Sequence, residues 1–252
     1  MSDATVLPGA EPYSAPGGPN GVLVLHGFTG NPRSMRGLAE AFADAGFAVE
    51  LPRLPGHGTS VADMLTTAFS DWAAAVEATY LEIAGRCDRV VVAGLSMGAT
   101  LAAGLAARHP RIAGVVAVNG MFQPPAEEFC ELLGQVLSQG LDRMPAIGSD
   151  IADRGVEEGA YEAAPIVPML SLFEGVADLQ ARLGDIRCPV LILTSSQDHI
   201  VPPVSSDVLA ERVSGPVERV TLERSYHVAT LDFDKDIVIE RAVKFALAVT
   251  AG

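Results

Sequence analysis

The chain has 252 residues, of which 49% are hydrophobic and 19% are charged, so it carries enough apolar material for one large buried core. Its formal net charge is −14 and its basic residues do not cluster. A nucleic acid is therefore not expected as a partner, because neutralising a phosphate backbone requires Lys and Arg side chains.

The first half of the chain predicts a regular alternation of strands and helices. Runs of β-branched and aliphatic residues indicate buried strands, and apolar residues three or four positions apart indicate helices. After a loose arm rich in proline and glycine, with room for one short edge strand, the predicted order is strand 21–25, helix 32–44, strand 47–51, helix from about 70, strand 90–92 and its following helix, and strand 112–118. Strands that alternate with helices in this way form a parallel sheet covered by helices.

The alternation stops after Asn119 and resumes at residue 189. Residues 120–186 contain several prolines but no convincing core strand. After them the predicted elements are strand 189–193, helix 204–213, strand 217–222 and helix 235–249. An insertion between two core strands predicts a small helical cap or lid. We therefore expect a single α/β domain over residues 1–252, with a mostly parallel sheet of about seven strands.

The sequence GLSMG, residues 94–98, lies between a predicted strand and an Ala- and Leu-rich helix. This context is typical of a nucleophile elbow, the tight turn that presents the serine of an α/β-hydrolase. Gly94 and Gly98 are expected to flank the turn because side chains there would collide with the neighbouring strand and helix. Ser96 would lie at a helix N-terminus, where the dipole and the free amides favour a developing oxyanion.

Two other interpretations of this segment remain open. Residues 90–107 carry no charge over 18 positions, which is close to the length of a membrane helix. The interrupting glycines and the flanking Arg89 and Arg108 favour a core strand and helix instead, so stable membrane insertion is not expected. The other alternative is a glycine-rich structural turn whose serine takes no part in chemistry.

A serine hydroxyl needs a base to remove its proton and a third group to orient that base. In α/β-hydrolases the chain order is serine, acid, histidine, each on a loop after a core strand. Asp198 directly follows strand 189–193, whereas Asp207 lies in the next helix and Asp232 comes after the candidate histidine. His227 follows the last predicted strand and is the expected base; the alternative is a loop histidine bonded to backbone. The remaining histidines are His26, His57, His109 and His199.

An oxyanion hole needs two converging backbone amides. Met97 follows the proposed nucleophile and would supply one, and Phe28, in the loop after the first strand, would supply the other. The Phe28 ring would also line an acyl pocket, with ordinary packing as the alternative. His26 is expected to brace this loop, and His57 is expected to be structural.

Five motifs, HGFTG, LPRLPGHGTS, GLSMGA, SSQDHIVPP and SYHVATLDFD, resemble those of the bacterial carboxylesterase and monoacylglycerol lipase family of α/β-hydrolases. The resemblance extends from about residue 20 to 245. It implies a catalytic triad and two oxyanion amides at the positions already chosen, which are Ser96, Asp198 and His227, and Phe28 and Met97. It also implies a small cap over a hydrophobic acyl tunnel, with no cofactor.

Within the cap, the resemblance implies that two segments, 148–151 and 158–161, meet a glycerol head group. Glu158 would accept a hydrogen bond from a glycerol hydroxyl, and Ile147 would form a wall of the site. The alternative for Glu158 is a solvated glutamate on the cap surface.

The sequence therefore predicts a metal-free serine hydrolase of carboxylic esters, with monoacylglycerols preferred as the small-molecule lipid substrate. Alternatives in the same class are a short-chain carboxylesterase, a thioesterase and a perhydrolase. An alternative in a different class is a hydrolase fold retained as a binding module without turnover. The three cysteines have no metal-ligand spacing, and no signal peptide is recognised, so we expect reduced thiols and a cytoplasmic location. No oligomeric state is indicated.

Overall fold

A seven-stranded sheet forms the centre of the fold in the computed structural model, which describes residues 5–146 and 149–251. The strands are β1 (Tyr13–Ala15), β2 (Asn20–Leu25), β3 (Ala48–Leu51), β4 (Arg89–Leu95), β5 (Ile112–Val118), β6 (Arg143–Pro145), β7 (Ala163–Pro165), β8 (Val190–Ser195) and β9 (Val217–Leu222). All strands of the described residues except β6 and β7 belong to this sheet. The order in the sheet is β1-β3-β2-β4-β5-β8-β9, and only the edge strand β1 is antiparallel to its neighbour. The predicted, mostly parallel sheet of about seven strands is thus confirmed.

Helices cover both faces of this sheet. They are α1 (Arg36–Asp44), α2 (Val61–Met64), α3 (Phe69–Ala84), α4 (Met97–Arg108), α5 (Glu127–Ser138), α6 (Ile166–Gln180), α7 (Val204–Arg212) and α8 (Lys235–Thr250). Side chains alternate between the faces along each strand. Val22 and Val24 pack in the layer that contains α1 and α8, whereas Leu23 and Leu25 pack in the layer that contains α3, α4 and α6. Because both faces are buried, the central strands are continuous apolar runs.

Two local details differ from the sequence-based expectation. The helix predicted from residue 32 begins as a 3₁₀ turn, Pro32–Met35, which the Asn31 side chain caps by accepting the N–H of Arg33 at 3.0 Å. Helix α2 lies in a stretch for which the sequence predicts no element. Its first turn is capped by the Ser60 hydroxyl. Both are single turns with a side-chain cap, and neither is long enough to show the apolar periodicity that predicts a helix.

The described part of segment 120–186 contributes no strand to the main sheet. It contains α5, α6 and a separate antiparallel ribbon formed by β6 and β7. Helix α6 packs against α3 and α4, and α5 packs against α6. Among the residues that the structure describes, no helix is both long enough and apolar enough to cross a membrane.

Candidate active site

Ser96 lies at the junction of β4 and α4, in a backbone conformation that few residues other than glycine adopt. Its φ is 56° and its ψ is −121°, and its N–H donates to the carbonyl of Val118 at 2.9 Å. A Cβ atom on Gly94 would lie 2.2 Å from the carbonyl carbon of Gly98, and a Cβ on Gly98 would lie 2.3 Å from the carbonyl oxygen of Leu25. The two glycines are therefore required by the close approach of strand, turn and helix.

The loop after β2 passes directly beside this serine. A Cβ atom on Gly27 would lie 3.3 Å from the Cβ of Ser96. Phe28, the next residue, lines the same cavity as Ser96, and its ring packs edge-on against Trp72 at 5.8 Å between centroids. Thr29 has a φ of 58°, and its hydroxyl donates to the carbonyl of Phe28 at 2.7 Å. The loop is thus held in a specific, partly strained conformation next to Ser96.

Met97 is the first residue of α4 and is fully buried. Its peptide N–H therefore belongs to the group of amides at a helix N-terminus, which have no partner inside the helix. This end of α4 follows directly after Ser96, so the amides of Phe28 and Met97 come from the two segments that border the serine.

Asp198 and His227 form a buried pair. Oδ2 of Asp198 lies 2.8 Å from Nδ1 of His227, and their side chains are 1% and 9% exposed. The other carboxylate oxygen accepts the N–H groups of Ile200 and Val201, both at 2.8 Å. An aspartate in this position holds the imidazole in the tautomer whose Nε2 atom is free to accept a proton.

His227 and Ser96 line the same cavity, but in the described part of the chain no hydrogen bond joins Oγ of Ser96 to the imidazole. Contacts of this kind are often long in a free enzyme and shorten when substrate binds. The arrangement therefore has a buried carboxylate–imidazole pair already formed and a serine positioned beside it.

The two other carboxylates considered from the sequence have different partners. Asp232 is buried, and its oxygens accept four backbone N–H groups, those of Ala152, Asp153, Tyr226 and Phe233. Asp207 forms a surface ion pair with Arg219 at 2.6 Å. Neither bonds to the His227 side chain, so Asp198 is the carboxylate that the fold brings to the histidine.

His26 and His57 lie behind the loop that carries Phe28. The Nδ1 atom of His26 lies 3.0 Å from the carbonyl of Gly27, and its Nε2 accepts the N–H of Leu54 at 3.1 Å. Burial lowers the pKa of His26 to about 4, and burial together with the neighbouring His26 lowers the pKa of His57 well below its usual range. Both imidazoles are therefore neutral at pH 7, and His26 joins the loop to the backbone of Leu54.

A cavity of about 250 Å³ opens onto Ser96. Most of its walls are apolar and come from segment 120–186, through Met121, Phe129, Met144, Met169, Leu172 and Phe173. Its polar lining includes Ser96, His227, Glu158 and Asp150. The cavity thus has a polar end beside Ser96 and His227 and mostly apolar walls elsewhere.

Glu158 is buried in this cavity, with only 7% of its surface exposed, so it is not a solvated glutamate. A Cβ atom on Gly30 would lie 2.6 Å from its Oε1, so the absence of a side chain at Gly30 leaves room for the carboxyl in this position. Burial raises the pKa of Glu158 to about 7, although the nearby His227 opposes the shift. Ile147, the other cap residue expected at the site, lies outside the described residues.

Two residues near the histidine were not singled out as site residues from the sequence. Asn119, just after β5, donates from Nδ2 to the carbonyl of His227 at 2.7 Å, and its φ is 46°. An asparagine at the end of a strand is a signal for such a left-handed conformation. Asp150 accepts the N–H of His227 at 3.1 Å. It is a single acidic residue in an irregular segment, and no sequence pattern indicates this contact.

The chain order serine, acid, histidine, the positions of these residues after core strands, and the elbow geometry agree with the α/β-hydrolase class. The profile of the family described as "Serine aminopeptidase, S33" matches residues 19–234, and the chain belongs to this family of serine hydrolases.

The chain is also similar to named lipolytic enzymes. It is 48% identical over 241 residues to the thermostable monoacylglycerol lipase of Bacillus sp. (strain H-257), covering 95% of each chain. It is 26% identical over 238 residues to a carboxylesterase of Bacillus subtilis (strain 168), covering 93% of this chain and 95% of that protein. A solved structure from the metagenome-derived lipolytic enzymes LipS and LipT has a TM-score of 0.92 at 41% identity, and the match covers 97% of this chain and 100% of that one. The expected family resemblance is confirmed, and the protein is a serine ester hydrolase.

Proposed function

We propose that this protein hydrolyses monoacylglycerols to fatty acid and glycerol through an acyl-enzyme on Ser96. The observation that carries the proposal is the buried Asp198–His227 hydrogen bond of 2.8 Å, which borders the same apolar cavity as the elbow serine. The 48% identity to a monoacylglycerol lipase supports the choice of substrate.

In the proposed reaction, Ser96 Oγ attacks the ester carbonyl while Nε2 of His227 takes the hydroxyl proton. The same nitrogen then returns the proton to the departing glycerol oxygen, and a water molecule repeats the sequence to release the fatty acid. Asp198 holds the Nδ1–H group and stabilises the imidazolium that forms. The amides of Phe28 and Met97 donate to the oxyanion in both steps.

The acyl chain would lie against the apolar walls of the cavity, under a cap formed by residues 120–186 within a single domain of residues 1–252. This assignment is supported by α5, α6 and the β6–β7 ribbon, which supply most of the apolar lining. Removing a methylene from water is worth about 0.8 kcal/mol, so a cap of this kind provides most of the affinity for a lipid substrate.

The glycerol head group would bind beside Glu158. Its carboxyl faces the cavity, and among the described residues no side chain or backbone group forms a hydrogen bond with it. A ligand hydroxyl that donates to this carboxyl would therefore form a hydrogen bond that the described protein groups do not make. Ile147 is retained as a proposed wall of the site from the family resemblance alone.

A second candidate function, hydrolysis of short carboxylic esters, is favoured by the size of the cavity. Its volume of about 250 Å³ is below the roughly 300–1,000 Å³ common for ligand pockets. A panel of monoacylglycerols with acyl chains of eight to eighteen carbons, measured beside p-nitrophenyl esters of the same lengths, decides between the two. Higher kcat/KM for the glycerol esters at every length supports the lipase, and a maximum on short p-nitrophenyl esters supports the esterase.

The serine mechanism is tested by Ser96→Ala, which should lower kcat by about 10⁴-fold or more without unfolding the protein, because no other group can supply the nucleophile. A fluorophosphonate should label the native protein at Ser96 and not the variant. Repeated turnover by the native protein would exclude a binding module without catalysis, whereas one-tenth activity in Ser96→Ala would contradict the assignment of the nucleophile.

We also propose a cytoplasmic location, supported by three cysteines, Cys87, Cys130 and Cys188, that are unpaired in the described part of the chain. Burial raises the pKa of Cys188 to about 11, which keeps that thiol protonated and unreactive. Cell fractionation with an antibody to the native protein is the direct measurement.

A further inference from the structure

Asp150 contacts both loops that carry the proposed acid and base. Its Oδ2 accepts the backbone N–H of His227 at 3.1 Å and that of His199, the residue after Asp198, at 3.2 Å. Its Oδ1 lies 2.9 Å from Nδ1 of His199, and its carbonyl oxygen accepts the N–H of Val228 at 3.1 Å. The side chain is 11% exposed. A residue of the insertion thus joins two loops that come from different core strands.

Residues 149–161, which we call the strap, are attached to the core at both ends. Near the start, Asp232 accepts the N–H of Ala152 at 2.7 Å. At the end, the N–H of Tyr161 donates to the carbonyl of Thr29 at 3.1 Å, in the loop that carries Phe28. The strap therefore connects the histidine loop to the proposed oxyanion loop and is part of the frame of the active site.

The backbone of His227 is held from two directions. Asn119 donates to its carbonyl oxygen from the core, at 2.7 Å, and Asp150 accepts its N–H from the strap. The Asp198–His227 hydrogen bond joins residues 29 positions apart, so it requires the two loops to keep their spacing. A hydrogen bond to an ionised acceptor is stronger than one to a neutral acceptor, and a carboxylate oxygen can accept from both loops at once.

We propose that Asp150 is a positioning residue. Its carboxylate holds the loops of Asp198 and His227 at a fixed spacing, so that Nε2 of His227 faces Ser96. This inference depends on the triad proposed above. Without the carboxylate, the two N–H groups would turn toward water and the imidazole would adopt orientations that do not reach the serine hydroxyl. The effect falls on the chemical step, because small misplacements of a catalytic group cost rate far more than they cost substrate binding.

The test compares Asp150→Ala with Asp150→Asn. Asparagine has the shape of aspartate, and its amide oxygen can accept both backbone N–H groups while its NH₂ group faces the ring of His199. Asp153→Ala is the matched control, because Asp153 lies in the same strap and its carboxylate accepts the N–H of Gly155 rather than a group on a catalytic loop.

The measurements are kcat and KM for p-nitrophenyl butyrate and the rate at which a fluorophosphonate labels Ser96. Asp150→Ala should lower both kcat and the labelling rate by about 10- to 100-fold and change KM by less than about twofold. Asp150→Asn should recover both to within about fivefold of the native protein, since it restores the acceptor without the charge. Asp153→Ala should match the native protein.

Four results would overturn the proposal: more than half of the native kcat in Asp150→Ala, an effect confined to KM, no recovery in Asp150→Asn, or an equal loss in Asp153→Ala. If Asp150→Ala does not fold, Asp150→Ser takes its place under the same criteria. Ser96→Ala is measured in parallel. An inactive Ser96→Ala with a fully active Asp150→Ala refutes this inference alone, whereas an active Ser96→Ala refutes the proposed function as well.

Discussion

Replacing Glu158 should separate recognition of a glycerol head group from general catalysis. The residue is 7% exposed and lines the cavity that contains Ser96 and His227. Burial raises its pKa to about 7, so close to neutral pH the carboxyl is divided between its charged and neutral forms. Glu158→Gln removes the charged form, and Glu158→Ala removes the acceptor entirely.

The size of the effect follows from the strength of the hydrogen bond that is lost. A bond to a charged acceptor is worth about 1.5–3 kcal/mol, and one between neutral groups about 0.5–1.5 kcal/mol. A tenfold change in kcat/KM corresponds to about 1.4 kcal/mol. Glu158→Ala should therefore lower kcat/KM for monolaurin by about 10- to 100-fold, and Glu158→Gln by less, because its amide oxygen still accepts a hydroxyl hydrogen.

The assay measures monolaurin and p-nitrophenyl laurate with each variant, because the second ester has the same acyl chain and no glycerol. Its kcat/KM should scarcely change. Glu157→Gln is the matched control, since Glu157 is the exposed neighbour of Glu158. Equal losses on the two esters would show a structural role for Glu158, and no loss on either would refute the head-group assignment.

Stability gives an independent check on the same variant. The pKa of Glu158 is raised in the folded protein from 4.5 to about 7, so above pH 4.5 the unfolded chain gives up a proton that the folded chain retains. Ionisation therefore destabilises the folded state increasingly from about pH 4.5 to pH 7. Glu158→Gln removes this penalty and should melt at a higher temperature than the native protein at pH 8. Lower activity in a more stable variant would exclude unfolding as the cause.

Asp198→Asn should lower kcat by about 10⁴-fold with little change in melting temperature, because the wrong tautomer of His227 is then favoured. Asp232→Asn should act mainly on stability, since Asp232 binds backbone amides; a nearly silent Asp198→Asn beside an inactive, folded Asp232→Asn would reverse the assignment. Dialysis against EDTA should leave kcat unchanged, because side chains and amides supply every step proposed, and a loss restored by zinc would contradict that mechanism. The pKa of His26 falls from 6.5 to about 4 on folding, so the free energy of unfolding should decrease as the pH falls through that window, by about 3 kcal/mol for this residue alone. In urea titrations between pH 7 and pH 4, the free energy of unfolding should depend less steeply on pH in His26→Gln than in the native protein. Equal slopes would show that the lowered pKa of His26 is not the cause.

The sheet, the elbow and the chain order of the site residues can all be predicted from the amino-acid sequence. Strands such as β4 and β5 are predicted because both faces of the sheet are buried, which leaves continuous apolar runs in the sequence. The elbow is predicted because Gly94 and Gly98 lie where no side chain fits, and such backbone limits act over a few residues. Asp198 was preferred to Asp232 from its place after a strand, which is again a local property of the chain.

Which polar groups meet across the site depends on how the whole chain packs. The carboxyl of Glu158 is buried because the strap lies against the loop that contains Gly30, a contact between segments more than a hundred residues apart. Asp232 accepts backbone amides and Asp150 accepts the N–H of His227 because loops from separate elements converge there. Hydrogen-bond partners depend on directions and distances of a few ångströms. These directions and distances are fixed only when the whole chain packs, so they cannot be inferred from the residue type at each position.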